Sequence, residues 1–305
     1  MRDTGRPQAM SNPRADRVRN VAKLAGRPAR LKRGQFLAEG PQAVREALAA
    51  HRKGPAPGGR PVISEMYITG SCLDRFGEFG ADSAGTGYRL VTEPVMAAMT
   101  DTVHSQGVVA VCNSIDLTLD EVMVRRPRLM AVFCRMRDPG NAGTVLRAAD
   151  AAGADAVVLT SSSVDVYNPK AVRATAGSLF HLPIVLGQDY QQLTARLRHH
   201  ELPLLAADGQ GDQDLDLLQD RSAWRHHRHT AAALDTAADQ TAPLVLEAPA
   251  AWVFGNEAQG LSPEELSWCD YSVAVPVYGA AESLNLATAA TLCLYASARA
   301  QRRGR

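Results

Sequence analysis

From residue 129 onward, short apolar runs alternate with helix-patterned segments: LMAVFC, a helix from Asn141, AVVLT, a helix from Pro169, LPIVL, a helix from Tyr190, then LPLLAAD. Uninterrupted apolar runs of this kind read as strands buried on both faces, and a helix between two of them returns the chain to begin the next strand in the same direction. The expected class is therefore α/β, with a parallel sheet covered by helices. The pattern resumes with strands at 244–246, 251–254 and 271–276 and ends in a long helix from about 283 to 299. Residues 209–243 are rich in Asp, Gln, His, Arg and Ala and read as a surface insertion.

The chain upstream is organised differently. Pro41 suits the first turn of a helix in which Val44, Ala47 and Leu48 recur at helical spacing. A Gly/Pro-rich loop at 54–61 leads to a strand at 62–69, and strand, helix and strand follow at 88–91, 93–100 and 107–112. These elements make a small α/β domain over 34–113. Residues 114–127, polar and closed by Arg125, Arg126 and Pro127, read as a linker to a second domain at 128–305.

The net charge of +1 conceals an uneven distribution, since residues 1–35 hold ten Lys or Arg against Asp3 and Asp16. A basic arm over 1–33, including Arg14, Arg17, Arg19, Lys23, Arg27, Arg30, Lys32 and Arg33, can release counterions from a phosphate backbone. On charge alone a solvated tail accounts for it equally well. The five cysteines form no C-x-x-C pair and read as buried thiols of a reducing compartment. No stretch reaches the ~18 apolar residues of a membrane helix, so a cytoplasmic protein without membrane attachment is expected. No metal is expected, because no His, Cys and Asp cluster has ligand spacing. Arg225, His226, His227, Arg228 and His229 read better as a solvated loop than as ligands.

Three segments carry candidate chemistry. In RDPGNAGTVLRAADAAGADAVVL, Pro-Gly-Asn breaks a strand before a small-residue helix, which puts Asn141 at the cap and Arg147 six residues further along. Both are thereby brought to the carboxyl edge of the sheet, where open α/β sheets bind ligands. In WVFGNEAQGLSPEE, Gly255 ends a strand, Asn256 and Glu257 stand at its tip, and Gly260 permits a second turn. Ser262 and Glu265 have the spacing of a capping box. In VAVPVYGAAESLNLATAATLCLYASAR, a strand into Pro276 and a loop holding Gly279 precede Ser283, Leu284 and Asn285 at the start of the last helix. Read singly, each segment is explained by helix capping and tight turns.

Read together, N-x-G-x-x-x-R at Asn141, Gly143 and Arg147, F-G-N-E-x-x-G-L at 254–261 and P-x-x-G-x-x-E-S-L-N at 276–285 resemble, in order, the three motifs of the SpoU, or TrmH-like, RNA methyltransferases. The likeness covers about 128–301. The upstream domain, with its AEGPQAVREAL opening, resembles the ribosomal-protein-L30e-like substrate-binding domain of the same family.

The resemblance implies a C-terminal deep trefoil knot, a rare departure from unknotted chains. It implies S-adenosylmethionine held by backbone groups at Gly255, Val275 and Leu284, with Asn256, Gly260, Pro276 and Gly279 in the same two motifs, and a homodimer through the knot region. It makes Arg147 the catalytic arginine, with Asn141, Glu257, Ser283 and Asn285 orienting it, the cofactor or the RNA. A guanidinium, protonated at neutral pH, is a poor base, so phosphate holding and alkoxide stabilisation are favoured for Arg147, with a direct base role left open. The two-domain layout is closer to members that modify ribosomal RNA, including those giving thiostrepton resistance, than to minimal transfer-RNA enzymes. A transfer-RNA enzyme and a non-catalytic RNA-binding protein remain the alternatives. A dinucleotide-dependent oxidoreductase is disfavoured because no G-x-G-x-x-G follows LMAVFC.

Overall fold

The structure, a computed structural model, describes residues 8–81, 85–102, 105–231 and 244–303. It divides into two compact units, Met1–Ile115 with Asp165–His181, and Asp116–Val164 with Leu182–Arg305.

The second unit contains a seven-stranded sheet in the order β7-β6-β5-β10-β8-β11-β9. Its strands are β5 (Leu129–Phe133), β6 (Ala156–Thr160), β7 (Ile184–Gln188), β8 (Leu204–Ala207), β9 (Gln213–Asp214), β10 (Ala250–Phe254) and β11 (Tyr271–Ala274), and every pairing between them is parallel. The α/β expectation is met. Alternation sends Met130, Val132, Ala251 and Val253 to one face, where Tyr190, Leu193 and Leu197 of the helix Tyr190–His199 pack. On the β10 and β5 strands the alternate residues Trp252, Phe133 and Phe254 stack, with Phe133 and Phe254 centroids 5.1 Å apart. The Trp252 indole N–H, fully buried, donates to Ser297 Oγ of the last helix at 2.9 Å, which settles the one polar atom that burying a tryptophan would otherwise strand.

The first unit is built on a four-stranded sheet, β1-β4-β2-β3, from β1 (Gln35–Glu39), β2 (Ile63–Thr69), β3 (Arg89–Val91) and β4 (Val108–Asn113). β4 runs antiparallel to both neighbours, while β2 and β3 are parallel. β1 was absent from the sequence reading; it is too short, and too close to the helix Pro41–Lys53, to show its own alternation.

Four boundaries differ from expectation, each for a packing reason. Within the 1–33 arm, residues 16–33 form helices Asp16–Ala22 and Arg27–Arg33, because Val18, Val21 and Leu24 enter the core beside Leu37, Tyr67 and Val109. The 114–127 linker holds the helix Leu119–Met123, closed by a Thr118/Glu121 capping box and anchored by buried Leu119, Val122 and Met123. The 209–243 insertion supplies β9 and the helix Leu215–Ala231, with Leu215 and Leu218 buried; 232–243 lie outside the described residues. Arg225, His226 and His227 fall on that helix, not on a loop, and Arg225 pairs with Glu247; the side chains of Arg228 and His229 lie outside the described residues. Residues 165–181 belong to the first unit although β6 and β7 flank them in sequence: Asp165 pairs with buried Arg30 at 2.8 Å, and Tyr167 and Phe180 stack on Phe36.

Residues 244–246 are not a strand, although Leu244 and Leu246 are buried. The last helix is Leu286–Arg302, beginning three residues later than expected.

Candidate active site

β8, β10 and β11 are neighbouring parallel strands, so their carboxyl ends share one edge. A cavity of about 530 Å³ opens there, floored by Ala207, Phe254 and Ala274 and walled by the loops that follow these strands. Of the sequence-derived residues, Gly255, Asn256, Glu257, Gly260, Val275, Pro276, Ser283 and Leu284 line it. Gly279 does not, and Asn141, Asn285 and Arg147 stand outside the lining.

The loop after β10 is shaped by two glycines. Asn256 and Gly260 exchange both backbone hydrogen bonds, at 3.0 and 2.8 Å, and Gly260 takes a left-handed φ of 64°. This tight closure folds the chain onto Gly255: a Cβ there would lie 2.0 Å from the Gly260 carbonyl carbon and 2.3 Å from Leu261 N. A second close crossing occurs at Gly211, where a Cβ would meet the Val273 and Ala274 backbone at 2.6–2.7 Å.

Asn141, Glu257 and Asn285, one from each motif, form a single directed hydrogen-bond chain. The Glu257 carboxylate accepts from Asp138 N at 3.2 Å, Arg137 N at 3.3 Å, Asn141 Nδ2 at 3.4 Å and Asn256 Nδ2 at 3.4 Å. Asn141 Oδ1 then accepts from Asn285 Nδ2 at 3.3 Å, and Asn285 Oδ1 accepts from Ala287 N at 2.8 Å. Each amide uses its nitrogen toward one neighbour and its oxygen toward the next, so the orientations of both are mutually determined. The cap assignments change accordingly. Asp138, not Asn141, caps the helix Pro139–Ala152, and Asn285, not Ser283, caps the last helix.

Arg147 lies on the exposed side of the helix Pro139–Ala152 and forms no hydrogen bond or ion pair with the described residues. Six residues separate it from Asn141, a rise of ~9 Å along the axis. The guanidinium is thus delivered to solvent from the helix whose first turn carries the network.

Two features escaped the sequence reading. Asp208, Gly209 and Gln210 line the cavity from the tip of β8; the rule that applied to β10 applies there too, but the polar stretch beginning at 209 hid it. Arg135, at the tip of β5, has a left-handed φ of 52°, unusual for a residue with a side chain. Its guanidinium grips Glu265 through two bonds of 2.9 and 2.6 Å, and its carbonyl accepts from Asn256 Nδ2 at 2.9 Å. The Ser262/Glu265 capping box is present, and Glu265 serves it and Arg135 together.

Burial alone would raise the Glu265 carboxyl, but hydrogen bonds and charge from Arg135 and bonds from Ser262 outweigh it and hold the group below its ordinary 4.5. A lowered folded-state pKa gives stability that is present above about 4.5 and lost as the pH falls through the folded value. The thermal midpoint should therefore decline below about pH 4.5. Arg135→Gln should lower the midpoint at pH 7, and its difference from wild type should shrink on acidification. A difference independent of pH would separate the pair from acid stability. All five cysteine thiols are pushed up, mainly by burial, Cys72 to about 11, so none is a ready nucleophile at neutral pH. Among the described residues no His, Cys, Asp and Glu group can hold a metal, and no helix is long and apolar enough to cross a membrane.

A cavity at the carboxyl edge of an open parallel sheet is where α/β proteins of this class bind their ligands. The SpoU rRNA Methylase family profile matches residues 128–295, and the profile described as RNA 2′-O ribose methyltransferase substrate binding matches 37–117. The chain belongs to the SpoU rRNA methylase family. It is 30% identical to the 23S rRNA (guanosine(2553)-2′-O)-methyltransferase of Bacillus subtilis over 92% of this chain and 94% of that one. It is 36% identical to the 23S rRNA (uridine(2479)-2′-O)-methyltransferase of Streptomyces viridochromogenes across 61% of this chain and 58% of the relative. The crystal structure of the SpoU methyltransferase AviRb from Streptomyces viridochromogenes with AdoMet superposes with a TM-score of 0.73 at 26% identity, covering 96% of this chain and 100% of that one.

Proposed function

We propose that this protein transfers a methyl group from S-adenosylmethionine to a ribose 2′-hydroxyl of ribosomal RNA. The observation that carries the reading is the hydrogen-bond chain Glu257–Asn141–Asn285, which joins all three motifs beside a carboxyl-edge cavity. Both relatives named above methylate a ribose 2′-oxygen of 23S rRNA, one on guanosine and one on uridine, which favours ribosomal over transfer RNA and leaves the base open.

The cavity suits the cofactor. Its volume falls in the ordinary range for small-ligand sites. Backbone groups at Gly255, Asn256, Gly260, Val275, Pro276 and Leu284 present donors and acceptors for an adenosine, and the carboxylates of Asp208, Glu257 and Glu282 offset cationic groups. When bound, S-adenosylmethionine supplies an electrophilic methyl on a sulfonium. The residues of the chain orient the attacking hydroxyl and stabilise it as its proton passes to solvent at the exposed cavity mouth. Glu257 already accepts four hydrogen bonds, so it orients the loop instead of taking the proton. Arg147 remains cationic, holds the adjoining phosphate and stabilises the developing alkoxide. Ser283, exposed at the cavity mouth, contacts the nucleotide.

In this reading the segment after β10 threads through a loop to make the trefoil knot. Its supports are β10 lying between β5 and β8 with β11 beyond, and the two crossings at Gly255 and Gly211 that leave no room for a side chain. Two protomers pair through the same region: Leu292 and Tyr295, 43% and 48% exposed, share one face of the last helix, and Val277 and Tyr278 are exposed on the loop before it. Residues 34–113 form the L30e-like domain that selects the RNA, and 128–305 hold most of the methyltransferase. The likeness to bacterial enzymes of ribosomal RNA supports a cytoplasmic location in this reading.

The test is transfer of labelled methyl groups to ribosomal RNA, followed by comparison of 2′-O-methylation between a deletion strain and its parent. One nucleotide mark should disappear. Cofactor binding without transfer to any cellular RNA, and an unchanged methylation map, would instead mark a non-catalytic RNA-binding protein.

A further inference from the structure

The two N-terminal helices enclose a cleft of about 590 Å³ lined by Arg17, Asn20, Lys23, Lys32, Arg33 and Glu65, with Val21 and Ala29 behind them. Four cationic side chains face one carboxylate. The cleft is a built feature. Its inner wall is fixed by Val18, Val21 and Leu24 in the core, and by Arg30, which is 4% exposed and donates to Asp165 at 2.9 Å and to the Leu24 and Ala25 carbonyls at 2.9 and 2.6 Å. One arginine of the basic run is thereby spent on holding the helices. Arg19 is paired with Asp16, and Arg17, Lys23, Lys32 and Arg33 line the cleft.

Of these four, Arg17, Lys23 and Lys32 are only lightly engaged. Arg17 lies 3.7 Å from Glu65, Lys23 Nζ is 3.4 Å from Asn20 Oδ1, and Arg33 donates to the Asn20 carbonyl at 2.7 Å, which ties one helix to the other. Lys32 is exposed and has no partner among the described residues. The lining has no aromatic side chain, unlike the centre of a protein interface.

The geometry points to a phosphodiester-binding cleft: residues 17–33 hold the backbone of an RNA strand without reading its bases. The substrate-binding profile of the family begins at residue 37, so this element lies outside what that profile describes. The inference rests on the RNA-methylating reading for its choice of polyanion. It assigns this region a task distinct from site choice: phosphate contacts raise affinity and set register, whereas base contacts specify.

The experiment uses the full chain and a fluorescein-labelled single-stranded 20-nucleotide oligouridylate, with anisotropy measured across a salt series. Arg17→Gln/Lys23→Gln/Lys32→Gln should weaken binding ~10-fold or more at low salt and reduce the slope of log affinity against log salt by ~2, at ~0.7 per lost phosphate contact on a single strand. The single variant Lys32→Gln, at an exposed position, should reduce that slope by ~0.7. Thermal midpoint and calorimetric affinity for S-adenosylmethionine should stay at wild-type values, and at saturating RNA the same nucleotide should be methylated. An unchanged slope overturns the proposal. So does polyglutamate of matched charge competing as well as unlabelled RNA, which would point to an acidic protein partner, or a redirected methylation site, which would make the cleft a specificity element. Wild-type protein that shows the expected slopes but transfers no methyl group would refute the enzymatic reading and leave the cleft standing.

Discussion

Arg147→Ala should lower methyl transfer to ribosomal RNA by ~10²–10³-fold, the usual cost of deleting one group that stabilises a developing oxyanion. Arg147 takes no part in holding the fold together. It is exposed and has no partner among the described residues, so truncation removes no internal contact and should change stability by no more than ~0.5 kcal/mol. Cofactor affinity should be retained, because Arg147 does not line the cavity. Binding of RNA should weaken by about one phosphate contact. Loss of turnover with cofactor binding and folding intact is therefore the signature. Arg147→Lys should recover only a fraction of the rate, since an ammonium keeps the charge but not the planar fork that can engage phosphate and ribose oxygens together. An alanine variant with near-wild-type turnover would remove Arg147 from the mechanism and move attention to Asn141 and Ser283.

Arg147 stands out in the sequence only through the motif that resembles the family's, and Arg135 belongs to none of the three motifs. The strands of the second unit were legible because burial on both faces leaves uninterrupted apolar runs such as LMAVF and AVVLT. Capping residues were legible as a class, but not by position: Asp138, not the expected Asn141, caps its helix, and Asn285 caps the last one, because the backbone turns at them. Contacts between distant segments left no local trace. Glu257 and Asn141 are 116 residues apart, and Arg30 and Asp165 are 135 apart. The second pair also explains why residues 165–181 were misplaced. Their sequence continues the strand and helix alternation, yet a buried guanidinium requires a buried carboxylate, and Asp165 is the one that meets it. The basic arm looked like a tail because its charges outnumber its apolar residues; the three that matter, Val18, Val21 and Leu24, are enough to fold it against the sheet.

Gly255→Ala should abolish tight cofactor binding, and the reason is steric, not chemical. Gly255 does not need an unusual φ, so an alanine is conformationally allowed there; what is missing is space. The added methyl would sit 2.0 Å from the Gly260 carbonyl carbon and 2.4 Å from its oxygen, both backbone atoms closed into the Asn256–Gly260 bridge, with no flexible side-chain end to move aside. Relief requires the bridge to open or the loop to shift by ~1 Å, a displacement that can cost ~10²-fold at a positioned site. The fold itself should lose ~1–3 kcal/mol from overpacking. Gly279→Ala is the matched control: nothing lies within 4 Å of the Cβ position, and the residue is exposed and away from the cavity lining. Calorimetric titration with S-adenosylhomocysteine should show binding lost in the first variant and unchanged in the second. Wild-type affinity in Gly255→Ala would mean that the loop yields freely, and the cofactor would then have to be held elsewhere. Loss of affinity in Gly279→Ala would instead reinstate the role that the motif implied for that glycine, through closure of the 277–283 loop over the bound cofactor.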